Sequence, residues 1–257
     1  MRFGCCVNTE QLPMVKTVGF DFAELPVAAV APEAPDAAWK SVRDQILDCG
    51  VPILGFNVLL PKYLHVVGHA VDEGELAEYL DIVFPRMSSL GAKYLSFGSG
   101  GSRSLPEGFD EQTGEEQLKR FITMLGHKAA EHGITVHIEF LNRKETNLIV
   151  NALEAEKYVQ SANLPSVKLL FDLYHAMEES EPLEDLLQVA ASLGYVHVAD
   201  TDRRYPGSGH YPYLEFARLL RTCQYDGPIS VECRWGDDME FEMKQSLVYL
   251  KTIFDPA

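Results

Sequence analysis

The sequence predicts an α/β chain closed into a single (β/α)₈ barrel, and three observations predict it. Short, near-continuous apolar runs alternate with longer amphipathic stretches from one end to the other, as strands buried on both faces alternate with helices. Eight such runs fall within 257 residues, the length this barrel needs, so one domain over residues 1–257 is the economical organisation. An open doubly wound sheet would usually show a glycine-rich phosphate fingerprint after its first strand, and CCVNTEQLP has none.

Taken in order, RFGCCV (2–7) and GFDFAEL (19–25) are the first two strands. AAWKSVRDQILDC (37–49) puts apolar residues on one helical face, and Gly50 separates it from the third strand, PILGFNV (52–58). ELAEYLDIVFPRMSSL (75–90) is helical in period, Gly91 stops it, and AKYLSFG (92–98) is the fourth strand. EEQLKRFITMLGHKAAEH (115–132) and Gly133 lead into ITVHIEF (134–140). LIVNALEAEKYVQSA (148–162) precedes VKLLFDL (167–173), and LEDLLQVAASL (183–193) with Gly194 precedes YVHVA (195–199). YLEFARLLRTC (213–223) and Gly227 come before the last strand, ISVEC (229–233). Glycine at these five helix-to-strand junctions offers the left-handed cap wanted there. No linker, low-complexity tract or compelling repeat interrupts the series.

Bulk properties exclude several classes. With 46% hydrophobic and 23% charged residues the chain reads as an ordinary globule, and no apolar run approaches the ~20 residues of a membrane span. MRFGCCVNTEQLP lacks a secretory leader pattern, so a cytoplasmic protein is expected. The net charge of −16 repels nucleic acid and anionic lipid, so neither is an expected partner. Cys5, Cys6, Cys49, Cys223 and Cys233 show neither disulfide nor zinc-knuckle spacing.

In this fold the chemistry sits at the C-terminal ends of the strands, so a polar residue closing an apolar strand is informative. Glu139 closes ITVHIEF, Asp172 closes VKLLFDL, His197 sits in YVHVAD and Glu232 closes ISVEC; Glu24 ends the second strand and Asn57 the third. Each alone has a bland explanation, since a strand-end acid commonly caps a helix and a histidine in an apolar strand is commonly a core residue. That explanation is needed four times over on the fifth to eighth strands, and four such groups at one mouth repel or go unsatisfied without a cation. Three carboxylates and one imidazole make an oxygen-rich site, suited to Mn²⁺, Mg²⁺ or Co²⁺, with Zn²⁺ also possible.

Around these residues the chain resembles the xylose isomerase-like TIM barrel superfamily, in its sugar isomerase and epimerase branch, which includes D-tagatose 3-epimerase and hydroxypyruvate isomerase. The motifs are IEFLNRKE (138–145), FDLYH (171–175), HVADTDRR (197–204) followed by PGSG, and VECRW (231–235); FNVLLP (56–61) and FGSGGSRSLPEGF (97–109) also match. The resemblance covers essentially the whole chain. It implies that Glu139, Asp172, His197 and Glu232 hold one divalent metal, Mn²⁺ foremost, and that Glu139 and Glu232 are paired proton-transfer groups. It implies that Glu145, His175 and Arg203 contact substrate, with Arg204 able to exchange roles with Arg203. The substrate implied is a small ketose, ketose phosphate or hydroxy-keto acid, turned over through an enediolate, and a homodimer or tetramer is expected by analogy. A keto-polyol dehydratase of the same superfamily is the alternative. An apurinic-endonuclease-like hydrolase is disfavoured, because it needs more histidine and carboxylate ligands and a basic groove.

FGSGGSRS (97–104) could cradle a phosphate through its backbone and Arg103, although such loops are more often simple turns. Period-two alternation points His137 into the barrel below Glu139, as a core or supporting group. Trp235 and Phe56 are candidates to wall the pocket.

Overall fold

Side chains on a β-strand alternate between two faces, so each barrel strand sends every second residue inward. The computed structural model, which describes residues 1–255, closes eight strands into such a barrel. They are β1 (Phe3–Cys6), β2 (Phe22–Pro26), β3 (Ile53–Asn57), β4 (Tyr94–Phe97), β5 (Thr135–Glu139), β6 (Val167–Asp172), β7 (Leu193–Val198) and β8 (Ile229–Val231). Neighbours pair in parallel in chain order, and β8 returns to β1 through Phe3–Ile229, Gly4–Ser230 and Cys5–Val231. The helices are α1 (Leu12–Val18), α2 (Asp36–Asp48), α3 (Glu73–Ser89), α4 (Gly100–Arg103), α5 (Glu111–Glu131), α6 (Ala152–Ala162), α7 (Leu173–Glu178), α8 (Asp185–Gln188), α9 (Tyr213–Thr222) and α10 (Met239–Phe254). None is long and apolar enough to cross a membrane.

Two layers inside the barrel position the site. The lower layer is apolar and aromatic: Phe22, Leu170 and Tyr195 form a buried cluster, with Leu54 and Tyr94 packed against it. Tyr94 and Tyr195 stack with centroids 5.3 Å apart, and His137 packs against both. Gly4 faces the Phe22 ring so closely that no Cβ fits there. Two residues further along the strands, the same inward positions carry Glu24, Asn57, Ser96, Glu139, Asp172 and His197, all buried. Outside the strands, the main apolar core fills the space beneath the helices.

All eight predicted strands are present, with ends shifted by up to three residues. Four differences have physical causes. α1 and α10 were not predicted; α10 buries Met243, Leu247, Leu250 and Phe254 at helical spacing, and α1 buries Leu12 and Val15. The helix expected over 148–162 begins at Ala152, because Asn151 caps it and Leu148, Ile149 and Val150 are apolar as buried loop residues instead. The helix expected over 183–193 shrinks to α8, since Leu193 and Gly194 belong to β7. Gly50, Gly91 and Gly133 adopt positive φ as expected, whereas Gly194 and Gly227 do not. Gly194 is needed for space: a Cβ there would lie 2.7 Å from His137 Nε2 and 2.9 Å from Lys168 Cβ.

Candidate metal centre

Glu139 ends β5, Asp172 ends β6, His197 lies near the end of β7, and Glu232 follows β8 by one residue. Their topology brings them to one mouth. Ligand atoms of Glu139, Asp172, Glu232 and His175 all lie within 4.8 Å of one another. His197 touches the same group from below, its Nδ1 3.2 Å from Glu139 Oε1 and 3.8 Å from Glu232 Oε2. The five sequence-derived groups therefore converge, with two imidazoles beside the three acids.

Hydrogen bonding distinguishes those imidazoles. His197 Nε2 lies 3.0 Å from Glu24 Oε2, and a carboxylate can only accept, so Nε2 carries a proton and Nδ1 is the nitrogen turned to the acids. Glu24 is held in turn by Tyr195 Oη at 2.7 Å and Ser96 Oγ at 2.9 Å. Burial opposes its charge, but His197 and the three donors outweigh that and lower its pKa to about 2. His175 has the reverse arrangement. The Asn142 backbone N–H donates to His175 Nδ1 at 3.1 Å, and burial together with Arg203 holds the ring neutral, with a pKa near 2. Its Nε2 is thus the protonated nitrogen, and it is buried without a partner, 3.6 Å from Asp172 Oδ2.

Glu139 and Asp172 are carboxyl groups crowded out of water. Burial and then Glu139 push Asp172 up to about 7. Burial likewise raises Glu139, opposed by a hydrogen bond from His197 and reinforced by Glu232. For His197, burial opposes protonation, yet Glu24 and Glu139 raise its pKa well above the usual value. Arg203 bridges the rim, donating to Glu232 Oε2 at 2.7 Å and to Glu145 Oε1 at 3.0 Å, with its guanidinium 4.9 Å from the Tyr174 ring centre. Arg204 turns away to Glu242, so Arg203 is the arginine at the cluster. Asn142 Nδ2 donates to Glu145.

These residues fit a divalent cation. Two buried acids, the part-buried Glu232 and a nitrogen donor give the oxygen-rich set a hard or borderline ion prefers, and such an ion would offset the burial and the Glu139 charge that raise Asp172. Gly98 leaves the space a Cβ would otherwise take from Glu139 Oε2.

Other expected features fall elsewhere. Arg103 is fully buried and donates to Phe97 O at 3.1 Å and Ile149 O at 3.2 Å, so it clamps two loops and is not free to meet a phosphate. Phe56 is core, while Trp235 lines the mouth. Glu24 and Asn57 ended strands in the sequence but carried no role. Their shared inward position, two residues beyond the barrel floor, was the signal available.

Residues 12–253 match the family described as xylose isomerase-like TIM barrel. The chain belongs to this family. Within it, the chain is 35% identical to an L-ribulose 3-epimerase of Methylomonas sp. (strain DH-1) over 131 residues, 51% of this chain and 46% of that protein. It is 32% identical to a 3-dehydro-D-guloside 4-epimerase of Escherichia coli (strain K12) over 133 residues, 51% of each. The matched region thus spans about half the length of these relatives. A D-psicose 3-epimerase crystallised with D-tagatose, from Clostridium cellulolyticum H10, superposes with a TM-score of 0.85 over 99% of both chains at 19% identity, which shows a shared fold.

Proposed function

We propose that this chain is a divalent-metal-dependent isomerase or epimerase of a small ketose or hydroxy-keto compound, moving protons with Glu139 and Glu232. The observation that carries the reading is two acids flanking one imidazole nitrogen at the barrel mouth, His197 Nδ1 being 3.2 Å from Glu139 and 3.8 Å from Glu232. The epimerase names of the relatives support the reaction class.

Glu139, Asp172, Glu232 and His197 would hold the ion, Mn²⁺ being the choice that this donor set favours. Bound there, it would act as a Lewis acid that makes a C–H beside a carbonyl easier to ionise. The remaining work belongs to the side chains. One of the two glutamates removes the proton and the other returns one. Return to the opposite face of the same carbon epimerises; return to the neighbouring carbon isomerises. Burial raises the pKa of Glu139, which makes it a stronger base than a free carboxylate. Glu232 is held in place by Asn57 on Oε1 and Arg203 on Oε2. His175 presents its Nε2–H to a substrate oxygen, and Arg203 and Glu145 close the rim.

The test is deuterium uptake from heavy water into ketoses, ketose phosphates and hydroxypyruvate, followed by proton NMR with added Mn²⁺. Exchange that stops with a chelator, and falls about 10²–10⁴-fold in both Glu139→Gln and Glu232→Gln, is the expected result. Full activity in either variant removes that residue from the mechanism. Loss of water from the substrate would instead identify a dehydratase.

A further inference from the structure

Asn57 ends β3 and is only 6% exposed, and its two amide atoms have different fates. Nδ2 donates to Glu232 Oε1 at 2.9 Å. Because a carboxylate accepts and does not donate, this contact fixes which amide atom is which, and Oδ1 is left as a pure acceptor. That Oδ1 is buried and has no partner. An unmet buried acceptor costs stability in the free protein and is retained where something else completes it.

The surroundings define what can complete it. Asn57 lines a mouth cavity of about 360 Å³ together with Cys6, Asn8, Gln11 and Trp235. The side chains lining this cavity include no lysine, arginine or histidine. Arg103, the cationic candidate from the sequence, is spent on two backbone carbonyls, and Arg203 is engaged by Glu145 and Glu232. A phosphate or carboxylate entering here would find no counter-charge, and at neutral pH a carboxylate has no proton to give Oδ1. A hydroxyl has one.

We infer that Asn57 is a specificity-determining residue that accepts a hydrogen bond from a substrate hydroxyl, and that this side of the mouth takes a neutral, hydroxylated tail. The inference rests on the isomerase or epimerase reading and narrows its substrate to a free ketose. One amide would then couple recognition to chemistry, because the group that senses the hydroxyl also holds Glu232.

The experiment compares substrates as well as proteins. Deuterium wash-in with Mn²⁺ is measured for free ketohexoses and ketopentoses, for deoxy analogues each lacking one hydroxyl, and for the terminal phosphates. The wild type is expected to favour the free ketose over its phosphate and over one deoxy analogue, the latter by roughly tenfold in kcat/KM. Asn57→Ala is expected to be slower on every compound, since Glu232 loses a donor, yet to treat the parent ketose and that analogue alike. A structural role would lower both rates and leave the preference standing, and that result overturns the inference. So does a wild type that prefers the phosphate. Should Asn57→Ala fail to fold, the wild-type series decides alone: equal rates on every deoxy analogue exclude a hydroxyl contact. No exchange by the wild type with any ketose, ketose phosphate or hydroxypyruvate would remove the proposed function and this inference together, whereas exchange without hydroxyl discrimination, or with hydroxypyruvate alone, removes only the inference.

Discussion

Asp172 shows why single residues are ambiguous when read from sequence. Its Oδ1 caps α7 by accepting from the Tyr174 N–H at 2.7 Å, while Oδ2 lies 3.6 Å from His175 Nε2 within the cluster, so the bland and the chemical explanations hold at once. The roles of Glu24 and Asn57 stayed hidden for a related reason: both depend on partners more than 170 residues away in the chain. Glu24 orients His197, and carboxylates that orient a ligand histidine typically matter 10–100-fold in metal affinity. Glu24→Ala is therefore expected to weaken Mn²⁺ binding by about 10–100-fold, measured by calorimetry on protein whose circular dichroism is unchanged. His175→Ala should leave that affinity nearly intact, because its Nε2 carries a proton and is a donor. Asp172 also sets a pH dependence. Its pKa rises from 3.8 to about 7 on folding, so the metal-free fold binds the extra proton and loses stability as pH climbs through that window. A cation needs the ionised form, so Mn²⁺ affinity should fall by up to about tenfold per unit as pH drops below 7. Titration calorimetry at several pH values checks the second effect, and urea melts of the metal-free protein check the first.

At the scale of elements, buried parallel strands were legible because they are apolar on both faces, and all eight appear. Helices were less so. Amphipathic period alone cannot tell a helix from a buried loop, as Leu148–Val150 shows, nor can it see that β7 claims Leu193 and Gly194. Gly194 was read as a cap, but it is a spacer that lets β7 pass His137 and Lys168. Its replacement by alanine puts a methyl group against the His137 ring and Lys168 Cβ, and overpacking of this kind costs about 1–3 kcal/mol. Urea denaturation of Gly194→Ala should show that loss; an unchanged midpoint would mean that His137 swings aside freely. The same packing accounts for His137 itself, neutral with its pKa lowered to about 3 by burial.

For the whole molecule, closure of the sheet is what turns six strand-end polar residues, scattered from Glu24 to Glu232, into neighbours. Strand order followed from the alternation, and with it the convergence of the fifth to eighth strands. Which atoms donate and which accept did not, since that depends on the tautomers imposed by Glu24 and Asn142. The ring also has an uneven distribution of duties. Three acids and His197 come from β5 onward, while Cys6, Asn8, Gln11 and Asn57 on the cavity wall come from β1 to β3 and the loop after β1. The acids and most of the cavity wall thus lie on different arcs of one circle, which meet at Cys233 and Trp235 after β8. Exchanging the segment after β1 alone, which leaves Glu24 and Asn57 on their strands, would alter the cavity wall while His197 and Glu232 kept their partners, so this architecture can diversify by editing one segment and inheriting the rest.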